Sequence, residues 1–145
     1  MFDMDLQGKI RAISAKVKDN DGEIERYCLL SLQFEFTKEL AGALNGDAKS
    51  LQKQLASGSL ASAKLAMDAV DVAAEFDAGE SEKLTLDGAR GVSVSLKRVN
   101  KEDAHPTARL TLRFATEKAA LLYFVNHLEE TVGVRMNRVQ TELSL

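Results

Sequence analysis

The chain has 145 residues, 45% of them apolar and 28% charged, with one proline, one cysteine and a net charge of −3. That length suits one domain burying about two thirds of its unfolded surface; a lone cysteine excludes an intramolecular disulfide framework, and the acidic balance excludes overall attraction to nucleic acid or anionic membrane. The start, MFDMDLQGKIR, lacks the basic and apolar pattern of a signal peptide, and the longest apolar run, 119–125, is too short to span a bilayer, so a cytoplasmic protein without a membrane segment is expected.

Ile13, Ala15 and Val17 alternate and predict a first strand, closed by the turn-rich Lys18-Asp19-Asn20-Asp21-Gly22. Cys28, Leu30, Leu32, Phe34 and Phe36 alternate more clearly with polar Ser31, Gln33 and Glu35, the pattern of a half-buried second strand. On that strand Tyr27 and Leu29 point away from the core, towards cover from an inserted segment or another subunit. Thr37 suits a helix N-cap. Asn45-Gly46-Asp47 interrupts this helix, and Asp47 can cap a second short one through Leu51 and Leu55 that ends near Gly58. Leu65, Met67, Val70, Val72, Ala74 and Phe76 predict a third strand, in which the change of phase between Met67 and Val70 marks a β-bulge.

The series then begins again. Val92, Val94 and Leu96 form a strand out of step by one with the first, so the next loop, Asn100 to Pro106, is one residue longer. Ala108, Leu110, Leu112 and Phe114 alternate with Arg109, Thr111 and Arg113. After Thr116, a second suitable N-cap, Leu121, Phe124, Val125, Leu128 and Val132 fall on one helical stripe stopped by Gly133. Val134, Met136, Val139, Thr141, Leu143 and Leu145 break phase where the third strand does.

Sliding the chain by eighty pairs Leu6 with Leu86, Gly8 with Gly88, Asn20 with Asn100 and Lys38 with Lys118. The last strands match at an offset of sixty-nine, leaving eleven extra residues in the first copy, an inserted helix at about 45–55. The expected fold is α+β and β-rich: one domain over 1–145, made of duplicated ββαβ units at about 4–77 and 84–145 related by a pseudo-two-fold axis. A right-handed crossover gives each unit the local order 2-1-3, and burial favours packed antiparallel sheets or a barrel with flanking helices.

No chemistry-bearing motif stands out. His105 and His127 lack metal-ligand spacing, Cys28 faces inward as a small hydrophobe, and Asp77 with Glu80-Ser81-Glu82 lacks the spacing of a calcium loop. Neither a glycine-rich phosphate loop nor a Ser-His-Asp arrangement occurs. The expectation is a non-enzymatic protein with no cofactor and no metal.

Charge is uneven: residues 1–83 hold 10 basic and 15 acidic side chains, residues 84–145 hold 9 and 7. Lys97, Arg109, Arg113 and Arg135, with Arg138 near the bulge, are placed on one outward basic face, and Asp68, Asp71 and Glu75 on an outward acidic strand; with Tyr27 and Leu29 they form the candidate interaction surface. The expected function is an assembly or protein-binding module in which the acidic strand of one copy meets the basic face of the next, a heterologous contact that closes a ring or extends a filament. A small, motif-poor, acidic domain also suits a phage or mobile-element accessory protein. The alternatives are nucleic-acid binding on the basic face, which lacks an aromatic platform, and a small molecule in a cleft between the halves.

Overall fold

The computed structural model of the chain describes residues 4–37, 39–40, 46–79, 82–98 and 105–138, with side chains for all but 4, 46–49, 65–70 and 138. The elements are β1 (Met4–Asn20), β2 (Glu23–Glu35), α1 (Gly46–Ser57), β3 (Ser62–Asp77), β4 (Lys83–Lys97), β5 (Thr107–Ala115), α2 (Lys118–Asn126) and β6 (Thr131–Arg138). The six strands close into a barrel in the order β1-β2-β5-β4-β3-β6, every neighbouring pair antiparallel.

Period-two alternation builds this wall. Leu30, Leu32, Leu110, Leu112, Val72, Phe76, Val94 and Val134 point inward, almost wholly inaccessible, and polar residues alternate with them outside. Cys28 lies in the same core, as expected, its thiol directed at Thr116 Oγ1 at 3.6 Å. Gly8 is an inward position where a Cβ would lie 3.1 Å from Leu6 Cδ1 and 3.4 Å from Val134 Cγ2, so only glycine fits without displacement. Its sequence counterpart Gly88 is exposed with open space around it, so no such need exists there.

The local order 2-1-3 is not what forms. β3 pairs with β4 and β6, and β6 pairs with β3 and β1, so each unit's third strand lies beside the other unit's first. The reason is the short turn between Asp77 and Lys83: Ala78 N–H donates to Glu82 O at 2.9 Å and Gly79, at φ 85°, donates to Asp77 Oδ1 at 2.8 Å, which folds β3 onto β4 as a hairpin. The right-handed crossover rule governs parallel strands, and this barrel has none.

β2 and β5 are antiparallel neighbours, so the helices that follow them lie at opposite mouths. A helix forms where a short one through Leu51 and Leu55 is expected: α1 reaches Ser57, buries Leu55, and ends at Gly58 with φ 87°. Thr37 caps as expected, its Oγ1 accepting from Leu40 N–H at 3.3 Å. α2 is shorter than its apolar stripe suggests. It stops at Asn126, its N-cap position is Glu117 and not Thr116, and only Ala120 and Phe124 are buried, whereas Leu122, Val125 and Leu128 are exposed. Val132 and Gly133 belong to β6, because Thr131–Met136 must pair with Met4–Lys9 to close the barrel. Helical periodicity yields here to strand pairing.

Register shifts fall between Ile10 and Ala12 in β1 and between Gly91 and Ser93 in β4, and the third-strand bulge lies between Ala66 and Val70, where the phase change predicts it. The corresponding change between Met136 and Val139 is outside the described residues, as are Lys38, Asn45 and Asn100.

Candidate interaction surfaces

β3, the acidic strand of the first half, lies between two strands of the second half, and this placement decides where its charges go. Asp71 sits opposite Arg90 and accepts its Nε–H at 3.0 Å. Glu75 is the register partner of Arg135, which is itself 3.8 Å from Asp5, and Asp77 lies 3.9 Å from Lys83. Of the acids on the expected strand, Asp71 is thus held by an arginine of its own barrel, whereas Glu75 only stands across from Arg135 in the register. Such exposed pairs each contribute about 0–1 kcal/mol. The side chains of Asp68 and Arg138 lie outside the described ones.

Lys97 and Arg109 stand on the outer face among small polar neighbours, Lys97 opposite Ser62 and Thr107, Arg109 opposite Ser95 and Gln33. Arg113 is differently placed. Its guanidinium lies 3.8 Å over the Tyr27 ring and donates to Glu25 at 2.6 Å, while Leu29 is half-buried between Ser14 and Arg113. Tyr27, Arg113, Arg26 and Arg90 line a groove of about 590 Å³. Two of its three arginines are already held by carboxylates, and one face of Tyr27 is covered, so the groove is close to self-neutralised.

A projecting ribbon is the feature that sequence reading misses. β6 accompanies β1 only to Lys9, and β5 accompanies β2 only from Tyr27. Beyond those points Val17–Asn20 and Glu23–Arg26 pair with each other and with no third strand among the described residues, Arg26 O accepting from Thr116 N–H at 3.3 Å, and a two-residue turn joins them with Asp21 at φ 52° and Gly22 at φ 92°. Ala15, Val17, Ile24 and Arg26 continue the inward face past the end of the barrel, so Val17 and Ile24 are each 63% exposed. On the other face stand Lys16, Lys18, Glu23 and Glu25. Val17, the last residue of the alternation that predicts the first strand, lies outside the core because β1 outruns the wall. A signal for this exists in the sequence: the charged Arg26 takes an inward position between Ile24 and Cys28, where the strand leaves the core.

No family model, curated protein or solved structure matches this chain.

The other features bear on stability and pockets. At the opposite mouth a cavity of about 740 Å³ is lined by Asp5, Lys9, Glu35, Glu39 and His105 among others. No cluster of metal-ligating side chains occurs among the described residues, and no described helix is long and apolar enough to cross a membrane. His127 ties α2 to the β3–β4 turn: its Nε2 lies 3.0 Å from Glu82, its Nδ1 meets Glu130, and its ring packs on Tyr123. Tyr123 OH in turn donates to Glu82 O at 3.3 Å.

Burial, and then the carboxylates of Asp77, Glu82 and Glu130, raise the Tyr123 phenol above the ordinary value of 10.0. The folded state thus holds this proton more tightly than the unfolded state. Its stabilisation is complete below pH 10 and is lost as pH rises through the folded value. In a Tyr27→Phe variant, ultraviolet titration should show the remaining phenolate forming above a free tyrosine's midpoint and shifting back on unfolding; a midpoint at or below the free value would contradict the packing described.

Proposed function

We propose that this chain is a non-enzymatic assembly module that docks on protein through its projecting ribbon, with a second copy of itself as the partner. The observation that carries the reading is the ribbon. Two strands alone are marginally stable in water, and these two present β-branched side chains and unpaired outer edges where natural proteins usually cover them. The acid-to-base contact between barrels is supported less, because Asp71 is held by Arg90 and Arg113 by Glu25 of the same copy. Nucleic-acid binding is supported less, since the arginine groove is largely neutralised.

We also read the chain as a duplication. Exchanging β1, β2 and β3 with β4, β5 and β6 leaves the ring order unchanged, and each first strand carries a bulge against its second, at Ile10/Ala12 and Gly91/Ser93, eighty-one residues apart where the longer second loop expected from the sequence gives seventy-nine.

Size-exclusion chromatography with light scattering at low and high salt tests the assembly reading. A mass above that of one chain, rising with concentration, is expected at low salt; a single-chain mass at every concentration in both salts would overturn it.

A further inference from the structure

Resting on the assembly reading, the geometry points to a head-to-tail contact in which the free edge of β1 in one copy pairs antiparallel with the free edge of β2 in the next. The two edges are unlike. Past Ile10, whose backbone bonds Glu129 and Glu130, β1 has no strand on the side opposite β2 among the described residues, and the side chains along it include Lys16, Val17 and Lys18. Before Tyr27, β2 has no strand on the side opposite β1 among the described residues, and it offers Glu23, Ile24 and Glu25, the last of which also accepts from Arg113 of its own copy.

One register satisfies all six residues. With Val17 opposite Ile24 of the next copy, Lys16 falls opposite Glu25 and Lys18 opposite Glu23. Faces agree as well: within a copy Lys18 pairs with Glu25 and Asn20 with Glu23, which places the lysines and glutamates on the outer face, while Val17 and Ile24 share the inner one. The contact would cover the two exposed apolar side chains and continue the sheet from copy to copy.

Symmetric alternatives fail on charge. β1 paired with its own copy about Val17 sets Lys16 against Lys18, and β2 paired with its own copy about Ile24 sets Glu23 against Glu25; like charges directly opposite are destabilising. Lysines on an exposed edge are a common guard against self-pairing. Here they reject the two-fold dimer and admit the head-to-tail neighbour, which leads to a ring or a filament. The unfilled edge of each copy accepts the next.

Sedimentation velocity of the full chain at low salt tests this with three proteins: the unaltered chain, Lys16→Glu/Lys18→Glu, and Glu23→Lys/Glu25→Lys. The unaltered chain is expected to associate, and each double variant, folded by circular dichroism, to do so at least about tenfold more weakly. An equimolar mixture of the two variants should regain association, because each acidic β1 edge then meets a basic β2 edge and each basic β1 edge an acidic one. A change of fold alone would not produce that rescue. Variants that associate as the unaltered chain does, or a mixture that stays unassociated, would overturn the edge contact while leaving assembly standing; an unaltered chain that never associates would overturn both.

Discussion

Replacing Phe124 by alanine should lower stability by about 3–5 kcal/mol, read as a lower midpoint in denaturant unfolding. Phe124 is the side chain with which α2 closes its mouth of the barrel. It is fully buried, its ring edge-on to Phe76 at 4.9 Å and tilted against Phe114 at 5.8 Å, so it joins α2 to β3 and β5 at once. Truncation leaves a cavity bounded by strands whose paired backbones cannot collapse into it. Leu122 on the same helix is 52% exposed, and Leu122→Ala should stay within about 0.5 kcal/mol. Equal losses at both positions would show that α2 does not bury the face described.

Gly8→Val is the second large effect. A Cβ at Gly8 already meets Leu6 and Val134, and the two further methyls of valine must displace side chains in a closed wall. Overpacking of this kind costs about 1–3 kcal/mol or more. Gly88→Ala should be neutral or stabilising by about 0.5 kcal/mol, because its surroundings are open and alanine restricts the unfolded chain. The same unfolding experiment separates the two. If both substitutions are tolerated alike, the inward close approach at Gly8 is wrong.

The strands were legible because alternation reports a half-buried wall wherever it occurs. Leu30 to Phe34 and Ala108 to Phe114 face the core as their period requires, and the phase change near Met67 appears as a register shift. Thr37 and Gly58, which mark helix boundaries through local hydrogen bonding and positive φ, were also readable. Less was legible in the second helix. Val125 and Leu128 carry the helical period yet are exposed, since strand closure at Thr131 shortens the element they belong to.

Among the candidate surface residues, Arg113, Tyr27 and Leu29 come together, whereas Asp71 is drawn to Arg90 and Arg135 to Asp5 of their own barrel. Sequence separation hid that encounter. Val17 and Ile24 were hidden for another reason: alternation records which face a residue is on, but not whether anything lies across from it.

By itself the sequence determined most of the strands and their inward faces, and the short helix that ends at Gly58, all of which depend on residues close together along the chain. The tertiary structure alone decided the closure into a barrel, the exchange of third strands between the halves, the meeting of Asp71 with Arg90, and the length by which the first hairpin outruns the wall. Those are set by which edges must be satisfied once six strands share one core, a condition on the whole ring that no single segment carries.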